Sequence, residues 1–127
     1  MDKHEKVVRD FWRIFDEARY DDVAPLLHPD CPVCWPNTRE LFRGSKKLID
    51  VNKYYPGRWH VEVIDVIAQD ELVISVVRVY SKEQKESFYA TSFFRFKEDL
   101  IAEITEYWGE ITEPPAWRLA QGFSEWY

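Results

Sequence analysis

The sequence predicts an α+β fold with three N-terminal helices packed on one face of a curved antiparallel sheet. Apolar residues recur every three or four positions up to Tyr55 and then every second position from Arg58 to Trp108. The links Asp70-Glu71, Glu83-Gln84-Lys85 and Glu98-Asp99 are short and polar, and links of that length close antiparallel hairpins. With 127 residues, one core and one domain are expected over residues 1–127, with the packed part at about 3–110 and a tail at 111–127.

The first helix is predicted over residues 3–18, because Val7, Val8, Phe11, Trp12, Ile14, Phe15 and Ala18 form one stripe. Asp2 followed three positions later by Glu5 fits a capping box. A second, shorter helix over 21–27 begins at Asp21 and Asp22 and carries Val23, Leu26 and Leu27. Pro29, Pro32 and Pro36 forbid its continuation, so residues 28–37 read as extended or looped. Gly44 and Ser45 open a third helix over 45–55 that Pro56-Gly57 ends. Four strands follow at about 58–68, 72–82, 87–97 and 100–108. The tail holds Pro114, Pro115, Trp117, Phe123 and Trp126, too aromatic for a solvated linker.

Composition narrows the function. Hydrophobic residues make up 46% and aromatics 17%, enough to build a core, and the net charge is −6. An acidic chain without a basic run argues against nucleic-acid binding. No apolar stretch reaches the length of a membrane span, and the first ten residues lack the apolar segment of a signal peptide. A soluble, cytoplasmic protein with both cysteines reduced is expected.

Strand alternation sorts the candidate chemistry. Leu72, Ile74, Val76, Arg78 and Tyr80 share one face of the second long strand, and Val73, Ser75, Val77 and Val79 share the other. If the helices cover the face bearing Ile74, Phe94 and Ile104, then Arg78, Ser92 and Glu106 point into an apolar, aromatic interior. Charges there must pair or meet water, and apolar walls with a few convergent polar groups make a small-molecule pocket. The alternative is a solvated ion pair at the sheet rim. The expected walls are Trp12, Phe15, Trp35, Tyr55, Trp59 and Trp108, together with Ile74, Val76, Tyr80, Ser92, Phe94 and Ile104.

His28, Cys31 and Cys34 have metal-like spacing but lack an obvious fourth ligand, so no metal is expected and the thiols are read as small apolar groups. His28 and His60 qualify as acid/base groups by ordinary pKa alone, and a structural role is the simpler reading of each. Tyr20, Tyr54, Tyr55 and Tyr80 could donate to a ligand carbonyl or merely pack.

An amphipathic helix, then "RYDDVAPLLHPDCPVCWP", "FRGSKKLIDV", a strand meander and the closing "IAEITEYWGE" together resemble the nuclear-transport-factor-2-like superfamily, in particular its SnoaL-like branch. The resemblance covers about residues 3–110 and is most specific at Ile104-Thr105-Glu106-Tyr107-Trp108. It implies a cystatin-like cone with a cavity between the helices and the concave sheet, and pairing of two copies through the sheet. Members include ketosteroid isomerases, polyketide cyclases, epoxide hydrolases, dehydratases and non-catalytic binders, so fold follows more firmly than reaction. Carried over by position, the isomerase carboxylate before a proline falls on Trp35, and the hydrogen-bonding acid of the third strand falls near Ser92. The Arg-and-two-acids set of the epoxide hydrolases is available only through Arg78 and Glu106. These departures argue against a ketosteroid isomerase.

The resulting expectation is a homodimer, paired through Val73, Val77, Val79, Tyr89 and Phe93, that holds a small hydrophobic ligand. If catalytic, it works as a cofactor-independent isomerase, cyclase or lyase with Glu106 as base and Arg78 stabilising an enolate or carboxylate. The competing reading is a non-catalytic binding or interaction domain.

Overall fold

Asp2 starts the first helix, α1 (Lys3–Asp16), in the computed structural model, which describes residues 1–127. Its carboxylate accepts the amides of His4 at 2.8 Å and Glu5 at 3.0 Å, partners that first-turn amides otherwise lack. Glu5 pairs with Arg9 at 2.9 Å, so its carboxylate faces along the helix. Val8, Phe11, Trp12, Ile14 and Phe15 are buried, and α1 ends two residues before the apolar stripe does because Ala18 turns left-handed with φ 57°. Residues Tyr20–Leu26 form a 3-10 helix, where Pro25 withholds an amide that an α-helix would need.

The stretch expected to be extended or looped contains a strand, β1 (Pro32–Trp35), which forms an antiparallel pair with β2 (Glu40–Arg43). Pro32 is tolerated as the first residue of its strand. Helix α2 spans Ser45–Tyr54. The meander follows as β3 (His60–Gln69), β4 (Leu72–Ser81), β5 (Glu86–Lys97) and β6 (Leu100–Glu110), and a short helix α3 (Ala116–Ala120) lies in the tail. Strand order is β2-β1-β6-β5-β4-β3, and the β1–β6 junction is parallel, with Val33 beside Ile104 and Cys34 beside Thr105. Register shifts at Val63/Asp65 and Arg95/Phe96 mark bulges, which bend strands and so help curve the sheet around the helices.

Cross-strand register decides which side chains meet the helices. Ser75 lies opposite Ser92, and Ser92 opposite Glu106. On β4 the buried side chains are Val73, Ser75, Val77, Val79 and Ser81, so this set, and not the Ile74–Val76–Arg78–Tyr80 set, shares the inner face with Phe94 and Ile104. The expected assignment of β4 was therefore inverted. Both faces of that strand are apolar, so alternation alone could not say which faces in. For the same reason Val73, Val77 and Val79 belong to the core rather than to the outer patch expected to pair two copies.

The core is centred where α1 meets β4 and β5. Phe11 and Phe94 are in edge contact at 5.1 Å between ring centroids, and the indole N–H of Trp12 donates to Ser75 Oγ at 3.0 Å. Burying a Phe side chain stabilises by about 2–3 kcal/mol. His4 is also buried, and its two ring nitrogens each lie 2.9 Å from a turn carbonyl, Asp70 O and Glu98 O. No helix is long and apolar enough to cross a membrane.

Candidate functional site

Between α1, α2 and the concave sheet lies a cavity of about 220 Å³ lined by 16 residues, 12 of them hydrophobic. Six of the eight aromatic residues expected as its walls are there: Trp12, Phe15, Trp35, Tyr55, Trp59 and Trp108, while Tyr80 and Phe94 are not. Helical spacing places Trp12 and Phe15 on one face of α1, and inward alternation brings Trp35 from β1 and Trp108 from β6 to the opposite wall. Tyr55 and Trp59 meet edge-on at 5.5 Å, and Trp35 meets Trp108 at 5.8 Å.

Glu106, midway along β6, is 3% exposed and lies in the cavity wall. Ser92 Oγ donates to its Oε2 at 2.8 Å, and Trp35 Nε1 donates to its Oε1 at 3.0 Å. Burial pushes this carboxyl above the usual carboxylate range, and the two donors pull back only in part. It is the one acidic side chain in the lining, and no Arg, Lys or His joins it. The remaining polar groups are Asn37, Thr38, Asn52, the phenols of Tyr20 and Tyr55 and the indole N–H groups, of which that of Trp108 is buried without a partner.

The structure does not bring Arg78 to Glu106. Arg78 lies on the outer face, where its Nε donates to Glu62 at 3.2 Å and its guanidinium sits 4.2 Å from the Tyr80 ring centre. Ile74, Val76 and Tyr80 share that outer face and leave the cavity lining, while Phe94 and Ile104 are fully buried beneath it. Ser92 is equally buried and reaches the site through Glu106.

Several lining residues were not expected there, Val79 having been assigned to the outer patch. Phe88 and Val79 follow at once when the inner parity of β4 and β5 is assigned, and Asn52 sits one turn beyond Leu48 on the inner stripe of α2. Asn37 and Thr38 gave no signal, because the β1–β2 turn that presents them was not recognised. The Asn37 side-chain oxygen accepts the Trp108 amide at 2.8 Å, which ties that turn to β6 at the cavity edge.

The histidines and thiols lie elsewhere. His60 is 3.5 Å from Asp16 and stacks on Tyr80, and Tyr54 is exposed. His28 is absent from the lining, and its Nε2 is buried without a partner. Cys31 is buried, which pushes its thiol up to about 12, and no three His, Cys, Asp or Glu side chains converge enough to hold a metal ion.

Solved structures share this architecture. A candidate ketosteroid isomerase from Kribbella flavida is 22% identical, with a TM-score of 0.84 over 98% of this chain and 90% of that one. A nuclear-transport-factor-2-like protein of unknown function from Burkholderia xenovorans is 18% identical, with a TM-score of 0.81 over 98% and 95%. An epoxide hydrolase from Mycobacterium tuberculosis is 15% identical, with a TM-score of 0.70 over 84% and 83%. At these identities the likeness is one of fold. Comparison with curated proteins gives no significant match. The SnoaL-like domain profile matches residues 8–104, from the first buried turn of α1 to the strand that carries Glu106, and the chain belongs to that family.

Proposed function

We propose that the protein binds a compact, mostly apolar molecule with one polar group in the aromatic cavity, and that Glu106 exchanges a proton with it. The observation that carries this reading is a fully desolvated carboxyl in the wall of an otherwise apolar chamber. A carboxyl whose pKa is raised by burial serves as a general acid or base, the group that cofactor-independent isomerase, cyclase or lyase chemistry asks for. Arg78 is withdrawn from this scheme because it faces away. Its absence removes the counter-effect of a nearby cation, which would have lowered the pKa of Glu106.

The test is solvent-deuterium exchange at the α-carbon of compact aryl ketones followed by NMR, with binding measured in parallel through tryptophan fluorescence. Exchange is expected with the native protein and to fall by at least ~100-fold in Glu106→Gln. One observation favours the non-catalytic alternative: both carboxylate oxygens are already held by donors, as in a structural anchor. Binding without exchange for any ketone that quenches fluorescence selects that alternative.

The same reading includes a homodimer that forms through the outer sheet face, in the cytoplasm. Two free cysteines suit a reducing compartment, and the outer face carries the apolar rows described below.

A further inference from the structure

We infer that the polar group of the ligand is a positive charge: the cavity is shaped to take a compact organic ammonium, seated on aromatic faces and against Glu106. This rests on the proposed small-molecule role of the same cavity and narrows the class of ligand.

Nine of the lining side chains are aromatic, including four tryptophans, Trp12, Trp35, Trp59 and Trp108. Aromatic faces carry negative quadrupole density and attract cations, indole most strongly, and the attraction grows when water is excluded. Purely apolar ligands need no such excess of rings over aliphatic side chains. The rings come from α1, from the 3-10 helix, from the neighbouring strands β1, β6 and β5 and from the link after α2, so more than one wall of the chamber is aromatic.

The charge balance points the same way. The lining holds one carboxyl and no Arg, Lys or His, while its other titratable groups are the phenols of Tyr20 and Tyr55. A carboxylate or phosphate ligand would face Glu106 with no cation to offset the repulsion. An uncharged ligand leaves Glu106 desolvated and without a counter-charge. A bound ammonium supplies the missing partner.

The hydrogen bonds at Glu106 accommodate its ionised form. Each oxygen receives its own donor, Trp35 Nε1 at 3.0 Å and Ser92 Oγ at 2.8 Å, and indole nitrogen donates but cannot accept. A carboxylate accepts both bonds directly. In the neutral acid the Ser92 hydroxyl accepts the carboxyl proton instead, while Trp35 still donates to the other oxygen. Both protonation states are therefore bonded, burial favours the neutral one, and the ligand's charge draws Glu106 into the ionised one. On binding, a protonated Glu106 releases its proton to solvent and the carboxylate pairs with the ammonium, so affinity for cations rises with pH through the titration of Glu106.

The probes are phenyltrimethylammonium and its uncharged carbon isostere tert-butylbenzene, which have the same shape and differ in charge. Binding is read from quenching of tryptophan fluorescence between about pH 5 and pH 8.5, a range that begins above the ordinary carboxyl pKa. The expected result at the upper end is at least ~10-fold tighter binding of the ammonium, a preference that shrinks as the pH falls. In Glu106→Gln the preference is expected to shrink and lose its pH dependence while the isostere still binds. Should that variant fold poorly, the pH dependence in the native protein still decides the matter. Isostere binding as tight as that of the ammonium at every pH overturns the cation assignment and leaves the cavity reading standing. A preference with no pH dependence, or one that persists in full in Glu106→Gln, removes Glu106 from the recognition and overturns the inference as stated. If neither probe binds at saturating concentration, both the inference and the cavity reading fail.

Discussion

His4 faces two carbonyl acceptors and, when neutral, has only one N–H to offer. Both bonds form only with imidazolium. Burial is the largest single influence and acts against the charge, yet the bonds to Asp70 O and Glu98 O, with Glu71 and Asp2 nearby, together raise the pKa above the ordinary 6.5. A raised folded-state pKa means the contribution is complete below the unfolded pKa and is lost as pH rises through the folded one. Urea unfolding is therefore expected to show a native protein more stable at about pH 5.5 than at about pH 8.5 in the share that His4 contributes. His4→Ala is expected to cost about 1–3 kcal/mol at the lower pH, since it strands two carbonyls, and clearly less at the higher. An equal cost at both pH values would show that the imidazole is held neutral.

At the same scale, Glu106 and Arg78 show where reading from sequence stops. Each interrupts an apolar run, and nothing in period two says which of two apolar faces is the inner one. Trp12 and Phe15 were legible as wall residues because α1 has a single apolar stripe, whereas β4 has an apolar set on either side. Arg78→Met and Glu106→Gln are expected to be additive in unfolding free energy, because the groups occupy opposite faces of the sheet. The Arg78 change should cost only a few tenths of a kcal/mol, as suits a partly exposed pair. A coupling energy above about 0.5 kcal/mol would contradict this placement.

Among the elements, the meander was legible and β1 was not, for reasons that lie in the range of the interactions. Hairpins β3–β4, β4–β5 and β5–β6 close through turns of a few residues, so pattern and pairing lie side by side in the chain. Strand β1 is four residues long, begins with Pro32, and pairs with β6 across some seventy residues through only two register positions. No local signal reports such a contact. It matters for the site because β1 delivers Trp35, one of the two donors to Glu106. The turn into α2 depends on Gly44, whose φ is 99° and whose missing Cβ would lie 2.9 Å from Pro29 O. Gly44→Ala combines a left-handed backbone with a backbone clash and is expected to cost about 1–3 kcal/mol, read from the denaturant midpoint. A loss below about 0.5 kcal/mol would show that the link relaxes freely.

Across the whole molecule, inverting the parity of β4 changes which surface can pair two copies. On the outer face, cross-strand register lines up Ile67, Ile74, Phe93 and Thr105 in one row and Asp65, Val76, Thr91 and Tyr107 in the next. Ile67 is 64% exposed, Tyr107 49% and Tyr89 42%, and Phe93 meets Tyr107 edge-on at 6.1 Å. Monomeric proteins rarely leave contiguous apolar rows of this kind open to water, and a two-fold axis through the face would bury the same rows of both copies at once. Arg95 and Glu103 border the rows and are partners in register, which places opposite charges where a second copy could read them. Sedimentation at micromolar concentration is expected to give about twice the chain mass of 15.3 kDa. Phe93→Glu places a charge at the centre of the rows and is expected to give the single-chain mass, with ligand affinity in the cavity unchanged because that side chain faces away from it. A native protein that sediments as a single chain, or a Phe93→Glu variant that remains paired, would remove the outer face from the assembly.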